Sequence, residues 1–197
     1  MGQRYDAVVV GSGPNGLAAA ITLAETGRSV LVLEAAPEAG GGLRTSELLE
    51  PDFRHDVCST IMALPPLLPF FDSMHLDLVT PPAPLAHPFD DGTAAVVERD
   101  FTSPFARQVR DLLPMVMRPP AIPRHPWLLG RFGSVGLLSA SIARRMFSGE
   151  RAQAVFGGAA AHSVLSLDEP GTAAVGTLML ATASAGGWPL ARGGSAA

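Results

Sequence analysis

The pattern of apolar positions is clearest over residues 5–34, where two unbroken apolar runs flank a segment with helical spacing. The runs are Ala7–Val10 and Val30–Leu33, and such runs are typical of parallel strands buried on both faces. Gly27 lies where a left-handed residue would end the helix between them. The pattern therefore predicts a strand–helix–strand unit of about 30 residues. Its helical stripe consists of Leu17, Ala20, Ile21 and Ala24.

The next part of the chain, up to residue 99, shows weaker signals. A short strand is predicted near residues 53–56, and a hairpin over residues 85–99 that turns at Asp90-Asp91-Gly92. Prolines are dense over residues 61–90, and they disfavour long helices there.

The remaining residues favour helices. Helices interrupted at prolines are predicted between residues 105 and 151, the clearest over Ser134–Phe147, and another lies within residues 151–162. Residues 170–191 carry no charge. Their Gly, Thr and Ser content predicts a buried helix rather than a membrane span.

Composition narrows the classes of function. The 14 basic residues, all arginine, stand against 18 acidic ones, and the net charge of −4 gives no electrostatic reason to expect a nucleic-acid partner. The lone Cys58 excludes an internal disulfide or a zinc ribbon and is interpreted as a small buried residue. The five histidines lack metal-ligand spacing, so no metal site is predicted. The first residues lack the basic start and apolar run of a secretory signal, so a cytoplasmic protein is expected.

The turn between the first strand and the helix has the spacing G-x-G-x-x-G. Gly11 allows the tight turn, Gly13 lets the backbone approach a diphosphate, and Gly16 lets the helix pack closely on the strand. The helix N-terminus offers free amides to that diphosphate. Glu34 follows the second strand, where an acid binds ribose hydroxyls and repels a 2′-phosphate. The motif predicts a dinucleotide site and leaves NAD and FAD open.

A second glycine segment, residues 40–45, follows the acid. Together with residues 7–34 it resembles the N-terminal FAD motif of the amine oxidase and phytoene desaturase superfamily. Residues 51–59, 160–163 and 187–195 are similar to the phytoene dehydrogenase-like branch, which includes the pyridine nucleotide-disulfide oxidoreductase domain-containing protein 2 type. The resemblance implies FAD as cofactor, with Gly41, Gly42 and Arg44 contacting it. The implied cofactor-binding set is Gly11, Ser12, Gly13, Pro14, Asn15, Gly16, Glu34, Ala35, Gly41, Gly42, Leu43 and Arg44.

The resemblance also implies a fold and an activity. The expected class is α/β: a Rossmann-like FAD-binding βαβ unit over residues 1–84, followed by an incomplete, mostly helical substrate domain over residues 85–197. The chain then corresponds to the N-terminal part of a flavoprotein that oxidises an apolar or amine-type small molecule by hydride transfer to FAD. No catalytic acid or base is assigned.

Two alternatives remain open. One is a truncated or split-gene fragment that binds a dinucleotide without catalysis, and the other is an NAD-binding module. A complementing C-terminal half or self-association would then cover exposed apolar faces. A weak membrane-surface contact is expected around Arg144, Arg145, Met146, Phe147 and Arg151.

Overall fold

The computed structural model describes residues 3–97 and 103–196. These residues separate into two compact units, Met1–Ile61 with Leu190–Ala197, and Met62–Pro189. The bounds differ from the predicted division between residues 84 and 85. The strands are β1 Ala7–Val10, β2 Val30–Leu33, β3 Thr45–Ser46, β4 His55–Asp56, β5 Leu78–Val79, β6 Leu85–Pro88, β7 Ala94–Val97 and β8 Leu190–Ala191. The α-helices are α1 Pro14–Glu25, α2 Val109–Val116, α3 Pro126–Gly136, α4 Ala140–Ala143, α5 Glu150–Ala160 and α6 Thr172–Gly186.

The first unit contains the predicted strand–helix–strand element, which the structure confirms. Strands β1 and β2 are parallel, with Ala7 opposite Val30 and Val10 opposite Leu33, and α1 connects them. Gly27 takes the left-handed conformation (φ +82°) just after α1, as predicted.

The burial of these two strands differs from the expectation. Val8, Val10 and Leu33 are 54%, 82% and 48% exposed. Parallel strands normally have both faces covered, and the two-stranded sheet of the described residues leaves one set of apolar side chains uncovered. The apolar runs are thus typical of strands in a fully covered sheet, whereas the described β1–β2 sheet leaves one face of both strands exposed.

The rest of the first unit brings together segments that are distant in sequence. Strand β4 pairs antiparallel with β3, with Thr45 opposite Asp56, which confirms the short strand predicted near residues 53–56. An isolated antiparallel bridge joins Ile61 to Leu190. The last described residues, 190–196, therefore belong to the first unit.

The second unit contains the predicted hairpin, which the structure confirms over residues 85–97; residues 98 and 99 lie outside the described residues. Strands β6 and β7 pair antiparallel. At the turn, Gly92 has φ +80°, and the Asp91 carboxylate accepts hydrogen bonds from the Thr93 amide and hydroxyl.

Helix α6 lies at the centre of the second unit and confirms the prediction of a buried helix. It contributes Leu180 to a cluster that includes Phe156, and Ala181 to a second cluster that includes Phe105. A Cβ on Gly176 would lie 3.0 Å from Ala160 Cβ, so this glycine brings α6 close to α5. Among the described residues, no helix is long and apolar enough to cross a membrane.

The helix predicted over Ser134–Phe147 is wrong, because the structure ends α3 at Gly136 and begins α4 at Ala140. The carbonyls of Leu137 and Leu138 accept the Gly171 amide at 3.3 and 3.1 Å, and the Ala140 amide donates to Thr172 Oγ1 at 2.9 Å. These tertiary bonds take the place of helical ones. The prediction of a helix within residues 151–162 is confirmed by α5.

Candidate functional site

The first glycine loop runs from the end of β1 into α1. Gly11 has φ +92°, which favours glycine, and its amide donates to the Leu33 carbonyl at 2.7 Å. Gly13 is the extended N-cap and provides no side-chain cap, and Pro14 occupies the first turn. The first amides after the proline, at Asn15 and Gly16, have no acceptor within the helix. The loop therefore presents free donors at the positive end of a helix, as an anion site requires.

Gly16 sets the distance between α1 and the turn that leaves β1. A Cβ built on this residue would lie 2.1 Å from the Gly11 carbonyl oxygen and 3.5 Å from Val9 Cγ1. Real Cβ atoms do not approach a backbone oxygen so closely, so the packing of helix on strand depends on glycine here.

The second glycine segment lies directly against the first. The Gly40 amide donates to the Ser12 carbonyl at 2.9 Å. Gly41 has φ +57°, and a Cβ on it would lie 2.9 Å from Gly13 Cα. The two segments thus meet through bare backbone, which forms a narrow glycine cradle made of Gly13 and Gly41. The predicted set omitted Gly40, whose signal in the sequence is the run of three glycines.

The remaining predicted residues of this segment have different surroundings. Leu43 is half-buried, and its amide donates to the Gly40 carbonyl at 2.9 Å. Gly42 packs beside Cys58, whose sulfur would lie 3.8 Å from a Cβ on the glycine. Arg44 is exposed, and its side chain forms no hydrogen bond or ion pair with the described residues, although its carbonyl accepts the Val57 amide at 2.8 Å.

The interpretation of Cys58 as a buried residue is wrong, because the thiol is exposed. The chain bends at residues 57 and 58, directly after β4, and turns the side chain away from the core. Among the described residues no group of three or more His, Cys, Asp or Glu side chains is arranged to hold a metal ion.

Glu34 is bound to the first glycine loop. Its Oε2 accepts the Ser12 amide at 2.7 Å and the Ser12 hydroxyl at 2.6 Å, and its Oε1 accepts the Ala36 amide at 2.9 Å. The Ser12 hydroxyl, followed by the Ala36 and Ser12 amides, lowers the pKa of Glu34 to about 2. The Ala35 amide also lowers this pKa. The Glu34 carboxylate is exposed, so a further donor such as a hydroxyl can approach it from solvent.

A third contact in this unit had no signal in the sequence. Asp56 Oδ1 accepts the Thr45 hydroxyl and the Ser195 amide, each at 2.8 Å, and the Ala196 amide donates to Thr45 Oγ1 at 3.1 Å. Burial acts to raise the pKa of Asp56, but these hydrogen bonds outweigh it and lower the pKa. The carboxylate thereby holds residues 195–196 against the strand that follows the second glycine segment.

Comparison with known proteins agrees with this geometry. The family described as "NAD(P)-binding Rossmann-like domain" matches residues 9–74. A subunit of the limonene dehydrogenase of Castellaniella defragrans is 33% identical over 104 residues, which are 50% of this chain and 19% of that protein. All-trans-retinol 13,14-reductase of Danio rerio is 51% identical over 55 residues, 28% of this chain and 9% of that protein. A triple mutant of putrescine oxidase superposes with a TM-score of 0.55 at 20% identity and covers 96% of this chain and 46% of its own.

These matches support the placement of the chain in the FAD-dependent oxidoreductase superfamily, as its N-terminal part. The chain spans less than half the length of the relatives it matches. The superfamily assignment confirms the resemblance and the Rossmann-like fold inferred from the sequence. The range matched by the family, residues 9–74, includes the glycine loop and Glu34.

The low pKa of Glu34 leads to a prediction about pH. A depressed pKa means that the hydrogen bonds from Ser12 stabilise the folded loop fully above about pH 4.5 and are lost as the pH falls through about 2. We expect the carboxyl carbon resonance of Glu34, assigned by comparison with Glu34→Gln, to titrate near 2 in a ¹³C NMR pH series. A Glu34 midpoint near 4.5 would show that Ser12 does not bind the carboxylate in solution.

Proposed function

We propose that this chain binds FAD and provides the dinucleotide-binding part of an oxidoreductase. The observation that carries the proposal is the glycine cradle, in which the backbones of Gly13 and Gly41 approach so closely that no side chain fits between them. A lone glycine loop would serve NAD as well. The second segment held against it, through the bond from Gly40 to Ser12, supports FAD.

The roles of the residues follow from their positions. The free amides of Asn15 and Gly16 would bind the diphosphate at the helix N-terminus. Glu34 would accept a ribose hydroxyl, and the guanidinium of Arg44, which pairs with none of the described residues, would be a bidentate donor to the diphosphate. FAD, when bound, would supply the redox chemistry of hydride transfer.

We further propose an apolar substrate rather than an amine. The second unit contains a cavity of about 160 Å³. An apolar cavity of about 150 Å³ is large enough for benzene. No acidic side chain is among its described lining residues, whereas a cationic amine would need one. Limonene and retinol, which appear in the names of two of the relatives, are apolar molecules. The cavity is lined by Ser103, Pro104, Phe105, Val135, Met146, Phe147, Phe156, Thr177 and Leu180.

A titration with three nucleotides tests the proposal. We expect the purified chain to bind FAD more tightly than NAD in isothermal titration calorimetry and to acquire the visible absorbance of bound flavin. FMN is the control, because it lacks the adenosine monophosphate portion of FAD and therefore the diphosphate and adenosine ribose that the loop and Glu34 would bind, and we expect it to bind more weakly. Tighter binding of NAD, or a protein that stays colourless with added FAD, would contradict the proposal.

The second candidate function is dinucleotide binding without turnover. The exposure of Val8, Val10 and Leu33 favours it, because a Rossmann sheet that lacks neighbouring strands does not enclose a reaction. A complementing segment or a second copy would cover this sheet. Anaerobic mixing of the FAD-loaded chain with limonene, which would donate a hydride to the oxidised flavin, separates the candidates. Bleaching of the flavin indicates an enzyme, and an unchanged spectrum indicates a binding module.

A further inference from the structure

The charge of the chain is distributed unevenly. Residues 107–131 contain five arginines and one acidic residue, Asp111, although the whole chain has a net charge of −4. This segment is therefore a cationic region on an acidic protein, and its net charge of +4 (five minus one) leaves −8 for the rest of the chain.

The same segment carries large apolar side chains in solvent. Ile122 is 96% exposed and Trp127 is 87% exposed. Prolines at positions 119, 120, 123 and 126 keep the chain before α3 out of a helix, so Ile122 is held on a loop. Singly exposed apolar residues are common on proteins, but a tryptophan and an isoleucine among arginines are a specific combination.

Helix geometry explains why Trp127 faces solvent. Trp127 and Arg131 are four residues apart on α3 and share one face. Leu128 and Phe132, each one position further along, occupy the neighbouring face about 100° away and are buried in the core of the second unit. The helix therefore has no freedom to turn its tryptophan inward without losing two core residues.

The arginines and the exposed apolar side chains of this segment form one surface. Arg118 and Ile122 line a shallow depression of the second unit, and Trp127 and Arg131 line another. Arg124 lines both depressions, so the two are contiguous. We call these five residues the basic–apolar patch.

The arginines of the patch are largely free. Arg118 and Arg124 form no hydrogen bond or ion pair with the described residues, and the Arg131 guanidinium lies over the Phe105 ring at 5.2 Å. The acidic neighbour Asp111 faces His125, with 4.0 Å between Oδ1 and Nε2. Among the described residues of the second unit, no carboxylate forms an ion pair with Arg118, Arg124 or Arg131, so the patch keeps its positive charge there.

We propose that the basic–apolar patch docks this protein on the surface of an anionic lipid membrane. Tryptophan favours the headgroup level of a bilayer, where its ring is buried and its N–H stays wet. Arginines around it would pair with lipid phosphates, and Ile122 would insert shallowly, as in interfacial binding segments. Ile122 and Trp127 are separated by arginines and do not form the contiguous apolar core that is typical of a protein interface. This arrangement therefore favours a lipid surface over a protein partner.

The surface that the sequence singled out for membrane contact is less suited to it. Phe147 packs on Phe156, with ring centroids 4.8 Å apart. Arg151 donates to Thr93 Oγ1 at 2.7 Å and lies over the Phe89 ring at 5.3 Å. Arg144 and Arg145 remain exposed and provide a matched control for charge reversal.

Vesicle flotation of the full chain tests the proposal, with phosphatidylcholine vesicles that contain or lack phosphatidylglycerol. We expect binding only with phosphatidylglycerol, and weaker binding at high salt. Arg118→Glu combined with Arg124→Glu should reduce binding at least tenfold, whereas Arg144→Glu combined with Arg145→Glu should change it less than twofold. Equal losses for the two double variants, or equal binding to both vesicle types, would overturn the proposal.

Tryptophan fluorescence provides an independent readout. Trp188 is buried and donates to Thr182 Oγ1 at 3.0 Å, so only Trp127 can respond to lipid. We expect a blue shift of emission on adding anionic vesicles, which Trp127→Phe abolishes while the unchanged Trp188 emission shows that the fold is intact. A blue shift without vesicles that grows with protein concentration, together with dimers in light scattering, would assign the patch to a second copy and overturn the membrane proposal. None of these readouts depends on bound FAD.

Discussion

Gly16→Ala is expected to destabilise the first unit by about 3 kcal/mol or more, at the upper end of overpacking effects. Two effects oppose each other at this position. Alanine is the better helix former by about 0.5–1 kcal/mol. Its methyl group, however, would lie 2.1 Å from the Gly11 carbonyl oxygen, and Gly11 is itself fixed by its bond to Leu33. The clash prevails because backbone cannot rotate away as a side chain can.

The measurement should resolve the first unit from the second. Hydrogen exchange of the amides in β1 and β2 reports local stability, and we expect their protection to fall while that of α6 is kept. Gly130→Ala in α3 is the matched control, since nothing lies within 4 Å of a Cβ there, and this variant should be slightly stabilised. Unchanged protection of β1 and β2 in Gly16→Ala would show that α1 is not packed on the turn as closely as described.

The sequence alone predicted those elements that depend on local patterns. The βαβ unit and the hairpin were predictable because spacing, glycine placement and strand length all act within about 30 residues. The break after Gly136 was not, since it depends on bonds from Gly171 and Thr172 across more than 30 positions. The periodicity of apolar residues carries no information about such long-range hydrogen bonds.

The candidate site shows the same division. The sequence predicts Gly13 and Glu34 from a motif, and the structure places them together through Ser12. The sequence does not predict that Asp56 accepts the amide of Ser195, 139 residues away, because neither residue belongs to a local pattern. The exposure of Cys58 depends on a bend that follows a two-residue strand, which is too short to leave an apolar signature.

Gly41→Ala is expected to weaken FAD binding by at least tenfold, which corresponds to about 1.4 kcal/mol. The substitution has two costs. A left-handed conformation costs an L-residue about 1–2 kcal/mol, and Gly41 has φ +57°. The new Cβ would also lie 2.9 Å from Gly13 Cα and push the two glycine segments apart. The second cost acts on the proposed diphosphate site itself, because Gly13 is the residue that must let the backbone approach the ligand.

Gly92→Ala separates these two costs. Gly92 also has a positive φ, +80°, but nothing lies within 4 Å of a Cβ built on it. Both variants should lose stability in urea unfolding, Gly41→Ala more because of its added contact, whereas only Gly41→Ala should show a raised Kd for FAD in calorimetry. If Gly41→Ala bound FAD as tightly as the wild-type chain, the contact between the two glycine segments would have no role in the site. Equal weakening of FAD binding in both variants would instead assign the effect to overall stability, because Gly92 lies in a hairpin of the other unit.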